Sequence, residues 1–168
     1  TLAFKDFGAR FLARFFGVLL ADRGRPATIL VATSGDTGSA VARGFFGVPN
    51  IRVVVLYPAG KVSAFQEAQM GSAGGNVTAV RVSGTFDDCQ RLVKAAFLDP
   101  SLAHLGLSSA NSINIGRLLP QTFYYVASYL DASPTGGGPV VFSVPSGNLG
   151  NLTAGVMAAR MGVPVERF

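Results

Sequence analysis

Residues 28–46 read TILVATSGDTGSAVARGFF, and this stretch decides the fold class. Thr28 to Thr33 is short, continuous, apolar and rich in β-branched side chains, the composition of a strand covered on both faces. The turn SGDTGS follows, and the chain then continues as a helix through Phe46. Working outward, the same strand, turn and helix order recurs: strand Ile51 to Tyr57, helix around Ser63 to Met70, strand Val77 to Val82, helix Phe86 to Phe97. Toward the amino end, Phe4, Phe7, Phe11, Phe15, Val18 and Leu19 recur at three- and four-residue spacing. That spacing predicts an amphipathic helix over Leu2 to Asp22, stopped by Gly24 and Pro26. A series of βα units connects parallel strands by right-handed crossovers. The predicted fold is therefore α/β, a parallel sheet with flanking helices, most of its strands buried on both faces.

Beyond Pro100 a short segment, Gly106 to Asn114, leads into a helix expected from near Leu119 to Leu130, with Pro120 tolerated in the first turn. The loop SPTGGG at Ser133 to Gly138 is the best boundary candidate. It divides the chain into a smaller α/β domain at 1–132 and the start of a larger domain at 133–168. After it, Pro139 to Pro145 reads as another buried strand, SGNLGN at Ser146 to Asn151 as a turn, and LTAGVMAARMG as a helix.

Composition limits what such a chain can do. Hydrophobic residues make up 49% of its 168 positions and charged residues 14%, enough for a sizeable core. Arg10, Arg14, Arg43 and Arg52 interrupt every apolar run before it reaches the length of a membrane span. The chain starts without methionine, lacks the order of a signal peptide and stops as an apolar segment restarts, so it reads as truncated at both ends. Cys89 stands alone in a helical pattern without metal-type spacing, which predicts a reduced core residue, a cytoplasmic setting and no metal site. The net charge of +5 comes from scattered arginines rather than a basic run with interleaved aromatics. Small anionic ligands fit that pattern better than nucleic acid.

In open parallel sheets, ligands bind where the carboxyl ends of strands turn into helices. Three turns fall at such ends: Ser34 to Ser39, Asn111 to Arg117 (NSINIGR) and Ser146 to Asn151. Glycines let a ligand approach the backbone, and helix N-termini present free N–H groups to an anion. Each could also be a plain capped turn, since Ser, Asp and Asn favour N-caps. Standard nucleotide motifs fail. A P-loop would need Ser or Thr where Val62 stands and glycine where Val55 stands, and a dinucleotide fingerprint would need glycine at Thr33.

The stretches TLAFKDFG (Thr1 to Gly8), ATSGDTGSA, YPAGKVSAFQEAQM, GTFDDCQ, SSANSINIGRLLPQ and PSGNLGN, in this order over nearly the whole chain, resemble threonine synthases of the longer, bacterial and fungal type. The resemblance implies a fold-type II enzyme, similar to the tryptophan synthase β subunit, that uses pyridoxal 5'-phosphate. The activity it implies is conversion of O-phospho-L-homoserine and water to L-threonine and phosphate. It matches Lys5 to the Schiff-base lysine that also moves protons at the substrate's α and β carbons. A free lysine amine is protonated at neutral pH and a poor base, so that site must be partly desolvated. Gly147, Asn148, Leu149, Gly150 and Asn151 match the loop that cradles the cofactor phosphate. Asp36 matches the residue facing the cofactor's phenolic oxygen, where two anions would repel and so share a proton. A purely local alternative has Asp36 only capping its helix. Ser34, Thr37, Asn111, Ser112 and Arg117 match the substrate-phosphate pocket, where the planar fork of arginine suits a phosphate. Lys61 and His104 receive no role. Two alternatives stay open: a related phospho-lyase acting on another substrate, and a non-catalytic anion-binding α/β module. Oligomeric state is not legible.

Overall fold

The apolar run after Pro26 becomes β1 (Ala27–Ala32), and every one of its residues is buried. The computed structural model describes residues 1–168 except Ile113 and Ser146, together with all side chains but that of Arg23. One residue of the 111–117 segment and the first residue of the 146–151 turn thus lie outside the described residues. The elements from β1 to α4 follow the predicted order, with helices α1 (Lys5–Arg23), α2 (Asp36–Phe45), α3 (Ala64–Gly71) and α4 (Phe86–Leu98) and strands β2 (Ile51–Pro58) and β3 (Val77–Val82). A short strand, β4 (Leu107–Ser108), adds to the other side of β1. At two residues it is too short to carry a period. All strands are parallel, in the order β3-β2-β1-β4.

Successive residues of β1 point to opposite faces. Ile29 and Val31 join Val53, Val55, Ala40, Val41, Phe45 and Met70 on one side, while Leu30 and Ala32 join Leu56, Cys89 and Val93 on the other. The sheet is thus covered by α1, α2 and α3 on one face and by α4 on the other. Cys89 is the core residue expected, and burial, with the Asp88 charge nearby, pushes its thiol above the ordinary range. β3 departs from the expected double burial: only Val77 of its six residues is buried, because it is an edge strand.

The amino-terminal helix turns a different face inward from the one its large residues mark. Ala9, Leu12 and Ala13 are buried, whereas Phe4, Phe7, Phe11, Phe15, Val18 and Leu19 are exposed. Close approach decides this. At Gly44 of α2 an added Cβ would lie 3.1 Å from the Ala9 carbonyl carbon, so only small side chains fit where the two helices meet. Gly38 is tighter still, since an added Cβ would collide with Thr33 Cγ2 and lie 2.6 Å from Met70 Sδ and 2.9 Å from Val55 Cγ1. Gly38→Ala should therefore destabilise the full-length protein by about 1–3 kcal/mol, as overpacking does. The check is a lower urea midpoint at unchanged slope.

Clustering of contacts divides the chain into two compact units, Thr1–Asn111 and Ser112–Phe168. The expected boundary at 132/133 falls, in this structure, between two elements of the second unit, α6 (Thr122–Ala132) and β5 (Val140–Val141). Its first helix begins earlier than expected and is broken: α5 (Ile115–Leu118) passes through a 3-10 turn at Leu119–Gln121 before α6. Pro120 forces the break, because it lacks an N–H and its ring crowds the carbonyl four residues back. Pro139 to Pro145 is not the buried strand expected. Only Val140 and Val141 pair, with β6 (Val165–Arg167), and Val141 is exposed, since this sheet has two strands and β5 lies at its edge. The unit's core is Tyr125 of α6 against Ala154 and Ala158 of α7 (Gly150–Arg160), closed by Phe142 with its ring centre 4.9 Å from that of Tyr125. Among the described residues no helix is long and apolar enough to cross a membrane.

Candidate functional site

The first unit gathers its polar residues at the carboxyl end of the sheet. β1 ends into Thr33, whose side chain is buried and organises the following turn. Thr33 Oγ1 accepts from Gly35 N at 3.0 Å and Gly38 N at 2.8 Å, and donates to the Gly35 carbonyl at 3.2 Å. This one hydroxyl satisfies donors at the start of α2, so no N-cap side chain is needed. Gly35 occupies the N-cap position at φ 146°, a conformation glycine tolerates and L side chains rarely adopt.

Asp36 is consequently released from capping. It is the first residue of α2, and its carboxylate bonds away from the helix: Gln66 Nε2 donates to Oδ1 at 2.7 Å. The other oxygen, Oδ2, lies 4.0 Å from Lys5 Nζ. The alternative in which Asp36 only caps its helix does not match this geometry. Lys5 opens α1, and its side chain is 35% exposed, partly withdrawn from water as a reactive amine requires. Ser34 is exposed and Thr37 half-buried on the same turn.

Following β4, Asn111 points its Nδ2 toward the Ala32 carbonyl at 3.5 Å, while its backbone N–H donates to Ser109 Oγ at 3.1 Å. Asn111 Oδ1 is buried without a hydrogen-bond partner among the described residues. A buried acceptor left unpaired costs about 1–3 kcal/mol, so this atom fits a donor on a bound ligand.

The second unit holds the remaining predicted residues. Arg117 lies on α5 and is buried; its backbone carbonyl accepts from Gln121 Nε2 at 2.6 Å. Burial pushes the guanidinium below its ordinary value, yet a guanidinium stays charged at any working pH. Taking that charge out of water favours an anion beside it. Ser112 is brought against the start of α7, its Cβ 3.4 Å from where a Cβ on Gly150 would stand. Gly147, Asn148 and Leu149 are exposed in front of α7, whose first N–H groups lack intrahelical acceptors. Leu149 sits in the left-handed region at φ 55°, an uncommon and strained state for a branched side chain. The Asn151 side chain is turned inward, its Oδ1 accepting from Tyr125 OH at 2.8 Å, so it ties the loop to α6. Lys61 and His104 are exposed, in keeping with the lack of a role.

Two residues without a role in the sequence reading, Thr33 and Gln66, organise the turn. The spacing Ser63-x-x-Gln66 signals a capping box, but a contact thirty residues upstream has no sequence signature. A separate concavity of about 680 Å3, lined by Arg10, Arg14, Arg43, Phe46 and Val48 among others, contains none of the predicted site residues. No cluster of three His, Cys, Asp or Glu side chains able to hold a metal occurs among the described residues.

The family model described as pyridoxal-phosphate dependent enzyme matches residues 1–167. The threonine synthase of Escherichia coli is 53% identical over 100% of this chain, which spans 39% of that protein. That of Corynebacterium glutamicum is 41% identical, again over the whole chain and 35% of its own length. Among solved structures, pyridoxal-phosphate-bound threonine synthase from Brucella melitensis superposes with a TM-score of 0.90 at 46% identity, over 98% of this chain and 36% of that one. Yeast threonine synthase superposes at 0.87 with 40% identity, over 98% of this chain and 34% of that one. The chain thus spans less than half the length of the relatives it matches. Fold, residue order and near-complete coverage coincide: the chain belongs to the pyridoxal-phosphate-dependent enzyme family.

Proposed function

We propose that the full-length protein is a threonine synthase, converting O-phospho-L-homoserine and water to L-threonine and phosphate. The observation that carries this is the Lys5 amine facing the Asp36 carboxylate at 4.0 Å, at the carboxyl end of a parallel sheet. Identity of 41–53% to threonine synthases over the whole chain supports the choice of substrate.

The residues present fit pyridoxal 5'-phosphate. Lys5 is an amine in a partly desolvated place, and Gly147, Asn148 and Leu149 lead into Gly150 and Asn151, the first residues of α7, whose free N–H groups suit a phosphate dianion. When bound, the cofactor supplies an electron sink for carbanion character at the substrate's α and then β carbon. Lys5 holds the cofactor and carries protons to and from those carbons. Asp36 sets the charge beside that amine and faces the cofactor's phenolic oxygen. Ser34, Thr37 and Asn111 in the first unit, and Ser112 and Arg117 in the second, are each assigned to the substrate phosphate. Binding that remote group orients the amino acid for proton transfer and so lowers the barrier by positioning. Phosphate leaves from the γ carbon and water adds at the β carbon, so atoms balance without an oxidant or reductant.

The test is stoichiometry. Full-length protein loaded with pyridoxal phosphate and given O-phospho-L-homoserine should release one inorganic phosphate per threonine formed. Phosphate without threonine would point to a different lyase, and neither product would remove the enzymatic assignment.

A further inference from the structure

Gln66 does two things with one carboxamide. It is the third residue of α3, and in the capping box there its Oε1 accepts from Ser63 N at 3.1 Å while its own N–H donates to Ser63 Oγ at 3.2 Å. That box uses only the oxygen. Glutamate would fill the position as well, and a negative charge at a helix N-terminus would be favoured by the dipole. What glutamine has and glutamate lacks is a donor, and this donor is spent on Asp36 Oδ1, 2.7 Å away on another helix. A glutamate would instead set two carboxylates against each other.

The turn is shaped around this side chain. A Cβ on Gly35 would stand 2.5 Å from Gln66 Nε2 and 2.7 Å from Oε1, so the carboxamide lies flat on the glycine. It is held by Ser63 at one end, by Asp36 at the other and by the Gly35 backbone beneath. Asp36 gains most from this arrangement. Its side chain is 57% exposed, and a carboxylate with that freedom ordinarily pairs weakly with a lysine. Anchoring Oδ1 leaves Oδ2 directed at Lys5. Among the described residues around it, α1 contributes Lys5, whose neighbour Asp6 is bonded to the Thr1 amine at 2.8 Å and to Ala3 N at 3.3 Å, while Glu67 of α3 is turned to Tyr57 OH at 2.9 Å and to Arg81 Nε at 3.8 Å.

We propose that Gln66 is a positioning residue for the reaction: it aims the Asp36 carboxylate at the cofactor-bearing amine and so sets the pH range over which that site holds its proton. This rests on the assignment of Lys5 as that amine. A carboxylate held near a cationic nitrogen keeps it protonated to higher pH, and a carboxylate free to swing into water does so less.

The test uses full-length protein loaded with pyridoxal phosphate, reading the pH midpoint of its visible band and the thermal midpoint. Gln66→Met, similar in size but without donor or acceptor, should lower the spectral midpoint. Gln66→Glu keeps the Ser63 contact, and hence the helix start, but loses the donor and repels Asp36; it should lower the midpoint less than Gln66→Met, because its own charge partly replaces that of the displaced carboxylate. Ser63→Ala removes the cap hydroxyl but not the Asp36 contact, and should lower the thermal midpoint with the spectral profile unmoved. Borohydride tagging of Lys5 together with a spectral midpoint unchanged in both Gln66 variants overturns the positioning role alone, as does Ser63→Ala shifting the midpoint as far as Gln66→Met. Borohydride tagging of a lysine other than Lys5 overturns the Lys5 assignment and the Gln66 role with it.

Discussion

Lys5→Ala in the full-length protein is expected to abolish turnover of O-phospho-L-homoserine while leaving the fold in place. Proton transfer by a positioned side chain contributes roughly 10²–10⁴-fold, and here the same amine is also assigned to hold the cofactor, so the loss should lie at or beyond the upper end. Stability should barely change. Lys5 is the first residue of α1, its side chain is 35% exposed, and its ion pair with Asp36 is long at 4.0 Å. Replacing a half-buried side chain that makes one long ion pair should cost about 1 kcal/mol or less. Two measurements separate chemistry from folding. Borohydride reduction followed by peptide mass mapping should tag Lys5 in the unsubstituted protein and nothing in the variant, and the urea midpoints of the two, both stripped of cofactor, should nearly coincide. Tagging of a different lysine, or unfolding of the variant, would count against the role.

Arg117→Lys should come next in size, and it probes shape rather than charge. Lysine keeps the positive charge but cannot form the planar, two-pronged bond that a guanidinium makes to phosphate. Hydrogen bonds to charged groups are worth about 1.5–3 kcal/mol, which corresponds to roughly 10–10²-fold in kcat/KM for a phosphorylated substrate. Affinity for pyridoxal phosphate should stay within about threefold, since the cofactor phosphate is assigned to the loop before α7. Lysine is the better probe here. Arg117 is buried, and deleting its side chain outright would open a cavity. Inorganic phosphate should also inhibit the variant less well than the unsubstituted protein. Equal loss of cofactor and substrate affinity would mean that Arg117 supports the unit as a whole.

Much of the first unit was legible because its signals are local. β1 is a run of buried apolar residues, Gly24 ends α1 in the left-handed conformation at φ 62°, and the glycine turn at Ser34 to Ser39 follows the end of β1 as expected. Where the reading missed, the deciding contact was distant in sequence. β4 exists because Leu107 and Ser108 pair with Thr28 and Ile29. The inward face of α1 was misjudged because large phenylalanines dominate the periodicity, whereas Ala9 against Gly44 sets how closely two helices approach. Pro120 was placed correctly near a helix start, but its cost to the helix before it was overlooked.

The candidate site divides in the same way. Sequence alone determined which residue types stand at which turns: an amine opening α1, a carboxylate after β1, an arginine closing the 111–117 turn and a glycine loop before α7, each legible because a turn and its helix are neighbours along the chain. Only the tertiary structure decided what those groups do toward one another. Thr33, not Asp36, caps α2; Asp36 is thereby free to face Lys5; and Gln66 reaches back from another helix to hold it there. A hydrogen bond between side chains thirty positions apart depends on strand pairing and helix packing, and neither leaves a trace in the residues that make it.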